Sequence, residues 1–425
     1  MGTLSSRASE RVIFRSSTDR VVFEQASFSR TGFCLLRPEA SDGIYRYADG
    51  LPIVGPRLMI DGVDAVRVTF QWGAQAAAHC YVILNTITDR AREHLDEFCM
   101  SIGPGRADAR SLVCALPADA ILSYQTVIVG PWGLEPGVRT EMGEWIRFLE
   151  DAGPDESNPL RVVNGRGAAA SLFVGPDARV VWPSEDLAAP QMCAPREREI
   201  GAAISARLGH TRRRRVVMHD GEADPTCTLI LFDGEIWRGN GVGWLTRRYP
   251  GLRVVTIDAG ELDEREAELT DADRVGALLQ AVCDEAGAGP VMVAGQSYGG
   301  LAALEAGLRS DVPVDEIVAQ SPSLWWGGAQ RGVGEGTLMG DLRVGSVSPR
   351  QGVRLRLQVG TLEETMRPVV DGCAELLRRQ GADVELDHYR SGHDVAWWRE
   401  GLVRALDEWE PSHMLTRNET AQVNA

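Results

Sequence analysis

A serine between two glycines is the strongest chemical signal in this sequence, in Gly295-Gln-Ser-Tyr-Gly299. An apolar run, residues 291–294, precedes it, and a helix-forming run, residues 300–306, follows it. On a strand–turn–helix of this kind the hydroxyl stands clear of the sheet, and the glycines keep other side chains out of the turn. We therefore predict that Ser297 is the nucleophile of a serine hydrolase. The backbone N–H of Tyr298, which opens the helix, is predicted to be one donor to the oxyanion.

A serine hydroxyl is a weak nucleophile and needs a neighbouring base. The chain has seven histidines, and His388 and His393 follow Ser297 within the same region. His388 lies inside a predicted strand, residues 384–389, where packing against a sheet is the expected role. His393 lies beyond that strand in the polar loop Ser391-Gly-His-Asp394. Because the base of such hydrolases follows the last strand, we predict His393 as the general base.

The acid that orients the base should lie between Ser297 and His393 in chain order. The loop after the predicted strand 353–359 offers Glu363 as the first candidate and Glu364 as the second. Asp394, adjacent to the base, is a further candidate, and a Ser–His dyad without an acid stays open.

The second oxyanion donor is expected from the loop that follows an earlier strand of the same sheet. That strand is predicted over residues 228–232, and the loop after it begins Asp233-Gly-Glu235. A backbone N–H of Gly234 or of Glu235 is therefore the predicted donor.

Alternating strand-like and helix-like segments after residue 216 predict an α/β domain with a parallel sheet. Short strand-like runs between residues 64 and 130 predict a β-sandwich before it. The predicted organisation is an N-terminal segment (1–60), the sandwich (61–135), a turn-rich linker (136–205), the catalytic domain (206–410) and a polar tail (411–425).

Composition narrows the function classes. The net charge is −16, and all 44 basic residues are arginines, which argues against nucleic acid or an anionic membrane as partner and excludes lysine chemistry. Eight cysteines without a Cys-x-x-Cys pair predict reduced, buried thiols, and no cluster has metal-ligand spacing, so we expect neither a metal site nor a cofactor. No signal peptide and no membrane span are expected, which predicts a cytoplasmic protein. The oligomeric state is left open.

Several stretches together resemble the enterochelin (enterobactin) esterase family over roughly residues 60 to 410. In the catalytic half they are Leu231-Phe-Asp-Gly-Glu-Ile-Trp237, Ala294-Gly-Gln-Ser-Tyr-Gly-Gly300, Ala319-Gln-Ser-Pro-Ser-Leu-Trp-Trp326, Gly360-Thr-Leu-Glu363 and Gly392-His-Asp-Val-Ala-Trp-Trp-Arg399. In the N-terminal half they are Val68-Thr-Phe-Gln-Trp72, Leu84-Asn-Thr-Ile-Thr-Asp89 and Asp155-Glu-Ser-Asn-Pro159.

The resemblance implies an α/β-hydrolase catalytic domain preceded by an immunoglobulin-like β-sandwich. It implies hydrolysis of backbone ester bonds in an iron-loaded siderophore macrolactone, with the iron belonging to the substrate. Arg265, Trp237, Trp326 and Trp398, with Trp325 beside them, are the implied substrate-binding residues.

The segment 257–269 keeps Arg265 but is otherwise acidic, so a less anionic siderophore or a related lactone is also open. The alternative function is a thioesterase, cyclase or acyltransferase of the same fold that acts on a natural-product ester or thioester.

Overall fold

The computed structural model describes residues 21–22, 34–35, 52–73, 78–102, 109–182, 196–200, 214–221, 223–260, 262–287 and 289–423. The chain folds as two compact units. Unit 1 comprises residues 1–164, 168–180 and 390–396, and unit 2 comprises residues 165–167, 181–389 and 397–425.

Unit 1 is built mainly from antiparallel strands. Its strands are β1 (Val21–Val22), β2 (Cys34–Leu35), β3 (Ile53–Ile60), β4 (Val63–Gly73), β5 (His79–Leu84), β6 (Ser101–Ile102), β7 (Ala109–Pro117), β8 (Ile121–Val129), β9 (Arg161–Val163) and β10 (Ala169–Val174). Its helices are α1 (Ile87–Arg90) and α2 (Met142–Glu150), with a 3-10 helix over Arg92–Phe98.

These strands form two sheets. One has the order β1-β3-β4-β7-β2, with β6 also paired to β7, and the other has the order β5-β8-β10-β9. Phe70 of β4 and Tyr124 of β8 meet edge to face, with their ring centroids 4.9 Å apart. Both rings are buried, and an aromatic pair of this geometry joins the inner faces of the two sheets.

The segment predicted as a linker, residues 136–205, contains ordered elements and corrects that expectation. It supplies α2 and the two strands that extend the second sheet from β8, namely β10 and β9. The turn residues that suggested a linker instead close tight turns between these elements. Asp155 accepts hydrogen bonds from the N–H and the hydroxyl of Ser157, and the buried Asn158 amide donates to the Leu172 carbonyl at 2.8 Å. Clusters of Asp, Asn, Ser and Pro mark such turns as well as linkers.

Unit 2 holds one eight-stranded sheet. Its strands are β11 (Arg196–Ile200), β12 (Arg214–His219), β13 (Cys227–Phe232), β14 (Leu252–Ile257), β15 (Val291–Gln296), β16 (Glu316–Gln320), β17 (Arg354–Gly360) and β18 (Asp383–Tyr389). The order is β11-β12-β14-β13-β15-β16-β17-β18. β12 pairs antiparallel with both neighbours, and the pairs from β14 to β18 are parallel. A mixed α/β fold is thus confirmed for this part of the chain.

Helices cover both faces of this sheet. They are α3 (Gly234–Gly239), α4 (Trp244–Arg248), α5 (Leu262–Leu269), α6 (Ala272–Ala286), α7 (Tyr298–Arg309), α8 (Thr337–Val344), α9 (Arg367–Arg379) and α10 (Val395–Val423). Alternate residues of β13 enter opposite cores: Ile230 and Phe232 join one buried cluster, and Leu229 and Leu231 join the other. This alternation fixes the register. Because β13 to β18 run parallel, their carboxyl ends lie at one edge of the sheet.

The last helix extends into the segment predicted as a polar tail, residues 411–425. α10 continues past Pro411 to Val423, with helix-forming residues on both sides of the proline. No helix in the described part of the chain combines the length and the apolar content needed to cross a membrane.

Candidate active site

Ser297 stands on a strained turn between β15 and α7. Its backbone has φ 57° and ψ −118°, a conformation that costs a non-glycine residue free energy and is concentrated at functional sites. The Ser297 N–H donates to the Gln320 carbonyl at 3.0 Å, and the Ser297 carbonyl accepts from Leu301 N at 3.1 Å. The strand–turn–helix context expected from the sequence is therefore present around Ser297.

The turn leaves no room for a side chain at Gly295. A Cβ atom built there would lie 2.3 Å from the carbonyl oxygen of Gly299. The obstacle is backbone, which cannot rotate away, so glycine is a steric requirement at this position.

A second serine hydroxyl, which is not among the residues predicted from the sequence, adjoins the nucleophile candidate. The Ser297 and Ser323 Oγ atoms are 3.3 Å apart, and Ser323 N donates to the Ser297 carbonyl at 3.0 Å. Ser323 follows β16, the strand next to β15. Its position just beyond the end of a neighbouring parallel strand was a usable signal.

Tyr298 and Gly234, the predicted oxyanion donors, each occupy the first position of a helix. Tyr298 opens α7 after β15, and Gly234 opens α3 after β13, the parallel neighbour of β15. The first N–H groups of a helix have no partner within that helix, so both positions can present a donor at this edge. Gly234 is packed closely: a Cβ there would lie 2.8 Å from Thr256 Cβ and 2.9 Å from Asp258 Oδ1.

Arg265 of α5, predicted to bind substrate, pairs with Asp233. Its Nε and Nη2 donate to the two carboxylate oxygens at 2.5 and 2.8 Å. Asp233 is buried, has left-handed backbone angles of φ 57° and ψ 49°, and also accepts from the Gln296 amide at 3.3 Å. The guanidinium therefore neutralises a buried carboxylate beside the Gly234 turn, and its carbon lies 5.3 Å from the centre of the Tyr298 ring.

The Tyr298 side chain lies in an aromatic and charged cluster. Its hydroxyl donates to Glu266 at 2.8 Å and accepts from Arg331 at 3.1 Å. Its ring centroid lies 5.6 Å from that of Trp325 and 5.8 Å from that of Trp326. Burial, together with the hydrogen bond to Glu266, raises the pKa of Tyr298 to about 12. The hydroxyl therefore stays neutral at physiological pH.

The four tryptophans of interest divide into two pairs. Trp325 and Trp326 are partly exposed, and the guanidinium of Arg331 lies 5.7 Å from the centre of the Trp325 ring. Trp237 is 1 % exposed and packs in the core against Trp182, while Trp398 is 3 % exposed and donates its Nε1–H to Ser321 Oγ at 3.1 Å. Trp325 and Trp326 thus present ring surface, whereas Trp237 and Trp398 support the structure from within.

Glu363 and Glu364, the two candidates for the orienting acid, occupy opposite environments. Glu363 is fully buried, and its Oε1 accepts from Ser321 Oγ at 2.6 Å and from Gly360 N at 2.9 Å. Glu364 is exposed. Ser321, at the end of β16, has a positive φ of 43° and bridges Trp398 to Glu363. Burial and fixed hydrogen bonds distinguish Glu363 from its neighbour.

His393 and Asp394 belong to unit 1 with the rest of the loop 390–396. The His393 N–H donates to Thr86 Oγ1 at 2.8 Å, and its carbonyl accepts from the Asn85 amide at 3.2 Å.

Asp394 is buried and accepts from the N–H groups of Ser123 at 2.6 Å and Ala396 at 3.0 Å, and burial raises its pKa. These contacts explain Asp394 as the residue that caps α10 and fastens the loop.

His388 does not pack against the sheet as the sequence suggested. It is exposed on β18, and its Nε2 lies 2.8 Å from Asp371 of α9. It shares a face of β18 with Val384 and Leu386, which pack against the core, but it lies one residue from the end of this edge strand.

Metal-ligating side chains do not cluster in the described residues: no group of three or more His, Cys, Asp or Glu could hold an ion there. Among the described residues, Cys80, Cys99, Cys114, Cys227, Cys283 and Cys373 carry reduced thiols, and all of these except Cys99 and Cys283 are buried. Burial raises the pKa of Cys80 and of Cys373 to about 12, which keeps these thiols protonated and unreactive.

Comparison with known proteins finds esterases. The Esterase family model matches residues 271–409. The iron(III) enterobactin esterase of Escherichia coli is 32 % identical over 295 residues, which cover 64 % of this chain and 72 % of that protein. The iron(III) salmochelin esterase of Escherichia coli is 28 % identical, over 85 % of this chain and 92 % of that protein. The enterobactin esterase of Shigella flexneri, solved in the presence of enterobactin, superposes with a TM-score of 0.69 at 26 % identity, over 89 % of this chain and 100 % of that one.

The fold and these matches define an ester-hydrolysing enzyme. Within that class, the chain belongs to the iron(III) enterobactin esterase family.

Proposed function

We propose that this protein is a serine esterase that hydrolyses the backbone ester bonds of an iron-loaded catecholate siderophore. The observation that carries the proposal is Ser297 on its positive-φ turn between β15 and α7, in a chain of the iron(III) enterobactin esterase family. Backbone strain at a serine that directly precedes a helix is typical of a nucleophile held in place for attack.

The proposed reaction has two half-reactions. Ser297 Oγ attacks the ester carbonyl while His393 accepts its proton, and the N–H groups of Tyr298 and Gly234 stabilise the oxyanion. Collapse of this intermediate breaks the ester C–O bond, and His393 returns the proton to the departing alcohol. Water then attacks the acyl-serine with His393 again as base, which releases a carboxylic acid and restores Ser297.

Glu363 is the proposed orienting acid. The chain order Ser297, Glu363, His393 is the order found in α/β-hydrolases, and Glu363 follows β17 in a buried, hydrogen-bonded position. A buried carboxylate held by two donors can keep an imidazole in one tautomer and stabilise the imidazolium that forms during attack. Asp394, whose two oxygens each accept a backbone N–H, is already explained as a cap.

The cluster around the Tyr298 side chain suits catecholate groups. Trp325 and Trp326 offer flat apolar surface next to the residue that follows the nucleophile. The Arg331 side chain is 71 % exposed, and its guanidinium lies over the Trp325 ring, where it can meet the negative charge of an iron–catecholate complex. Arg265, held by Asp233, supports this region by neutralising charge within it.

We further propose an α/β-hydrolase fold for unit 2 and an immunoglobulin-like sandwich for the sheets of unit 1. The first rests on the strand order around an antiparallel β12 and on the position of Ser297 after β15. The second rests on two antiparallel sheets joined by buried side chains. In this proposal the iron arrives with the substrate and the protein needs no metal or cofactor of its own. The cytoplasmic location stays a prediction.

The test is hydrolysis of iron-loaded and iron-free enterobactin by the full chain and by Ser297→Ala, with the products resolved by mass. We expect linear trimer, dimer and monomer from the wild-type protein and none from the variant. Glu364→Gln is the matched control, because an exposed carboxylate one residue from the proposed acid should not affect turnover.

Two outcomes would contradict the proposal in different ways. Turnover by Ser297→Ala would remove Ser297 as nucleophile. A wild-type protein that cleaves simple esters but neither form of enterobactin would retain the esterase and reject this substrate, and less anionic lactones and thioesters would be assayed next.

A further inference from the structure

The loop that carries His393 is fastened to residues of the N-terminal half of the chain. His393 N–H donates to Thr86 Oγ1, and Asn85 Nδ2 donates to the His393 carbonyl, so one dipeptide holds both polar backbone groups of the histidine. Ser391 Oγ donates to the Ile121 carbonyl at 2.6 Å, and Asp394 accepts from Ser123 N on the other side. The contacting groups all lie within unit 1.

Thr86 is held in a conformation that its residue type disfavours. Its φ is 66° and its ψ is −44°, and a β-branched residue at positive φ is a genuine outlier. The conformation is fixed at the start of α1, where Thr86 N donates to Asp89 Oδ2 at 2.9 Å. Strain of this kind persists where the surroundings over-determine it, and it is concentrated at functional positions.

The fit between Thr86 and the loop is close as well as polar. A Cβ atom on Gly392 would lie 2.3 Å from both Cβ and Oγ1 of Thr86. Thr86 is 7 % exposed, so its side chain has little space in which to move. Glycine next to His393 therefore allows the loop backbone to approach the threonine.

From these contacts we infer that Asn85 and Thr86 are positioning residues for His393. This inference rests on the proposed role of His393 as the general base. Thr86 and Asn85 fix the backbone of the histidine and thereby the point from which its imidazole projects. They act through His393 and have no role of their own in bond making or breaking. The N-terminal half thereby contributes to catalysis as well as to the fold.

The test compares Thr86→Val with a matched variant in α1, the helix that follows Thr86. Thr86→Val keeps the branched shape and removes the acceptor for His393 N–H. Thr88→Val makes the same change at a buried threonine two residues on, whose hydroxyl accepts from Leu84 N and donates to the Val82 carbonyl, both in strand β5. Turnover of ferric enterobactin and of 4-nitrophenyl butyrate would be measured with the full chain, because the small ester separates the chemical step from siderophore binding.

We expect Thr86→Val to lower kcat about tenfold to 100-fold on both substrates, the cost of misplacing a reacting group by about 1 Å. KM should change little, Thr88→Val should stay within about twofold of wild type, and Thr86→Ser, which restores the hydroxyl, should recover most of the rate. Asn85→Ala, which removes the second contact, should give a smaller loss in kcat with the same unchanged KM.

A double-mutant cycle with His393→Ala makes the inference falsifiable even if a variant is less stable. Because Thr86 acts through His393, Thr86→Val should cause no further loss in the His393→Ala background. An additional loss equal to that in wild type, or equal kcat values for folded Thr86→Val and Thr88→Val, would overturn the positioning role alone. A His393→Ala protein with the activity of the wild type would instead overturn the proposed function, and the inference with it.

Discussion

The turn that carries Ser297 and the loop that carries His393 are held in place by different means. Ser297 is fixed by its own strand and helix, through a positive φ and a glycine, Gly295, that admits no side chain. His393 is fixed by hydrogen bonds to Asn85 and Thr86, about three hundred residues earlier in the chain. One position is built locally and shows in a pentapeptide, whereas the other depends on a distant part of the fold.

The difference predicts which substitutions should displace each residue. A local turn is formed whenever its strand and helix form, so only changes inside it should move Ser297. The position of a loop that is held by distant residues depends on the position of those residues. Substitutions far from residue 393 should therefore be able to displace His393.

Glu363→Gln should give the largest effect. By comparison with the corresponding change in other triads, we expect kcat to fall about 10⁴-fold, because an amide cannot hold the histidine in the required tautomer or stabilise the imidazolium. Steady-state kinetics on ferric enterobactin would measure it. Glu364→Gln is the control, and equal losses in the two variants would contradict the assignment of Glu363.

Gly295→Ala tests whether the local turn fixes the position of Ser297. Its Cβ would meet the Gly299 carbonyl oxygen at 2.3 Å, and the backbone must shift under Ser297. We expect kcat to fall by more than about 100-fold. Gly340→Ala in α8, where a Cβ meets nothing within 4 Å, should keep full activity. Circular dichroism would show whether Gly295→Ala remains folded, and a folded variant of normal activity would contradict the steric argument.

Gly392→Ala tests whether the contact with Thr86 fixes the position of His393. The added methyl group would lie 2.3 Å from Cβ and Oγ1 of the buried Thr86, so the loop must move away from Thr86 and carry His393 with it. We expect kcat to fall about tenfold to 100-fold. The reactivity of Ser297 towards a fluorophosphonate should fall in parallel. Unchanged kinetics would show that the loop tolerates movement away from Thr86.

Tyr298→Phe should have the smallest effect. It separates the role of the Tyr298 backbone N–H from that of its side-chain hydroxyl. The proposed oxyanion donor is the backbone N–H, which the substitution leaves in place, so we expect kcat within about threefold of wild type. The lost hydroxyl bonds to Glu266 and Arg331, and any change should fall on KM for the siderophore. A large fall in kcat on a small ester would assign the hydroxyl a part in the chemistry that the account does not give it.

The same comparison explains what the sequence could predict. The Ser297 turn, the parallel sheet around it and the glutamate after β17 have local patterns: an apolar strand, small turn residues and a helix former. The contacts of Thr86 with His393 leave no local pattern, because they join segments 307 positions apart. Ser323 was missed for a related reason, since its approach to Ser297 depends on the pairing of β15 with β16.

The ion-pair partner of Arg265 and the exposure of the tryptophans could not be predicted from the sequence either. Arg265 was predicted from resemblance as a substrate contact, but only the fold shows it paired with Asp233 across 32 positions. Trp237, Trp326 and Trp398 are chemically alike in the sequence, and their exposure separates them in the structure. The turn residues of the segment 136–205 suggested a linker because the same residue types close antiparallel strands.

The most direct test of the account is the rate at which a fluorophosphonate labels Ser297, mapped by peptide mass in wild type and in His393→Ala. We expect a single modified peptide, which contains Ser297. We also expect the labelling rate to fall at least ~10³-fold in His393→Ala. A label on another residue, or a rate that does not depend on His393, would contradict the account.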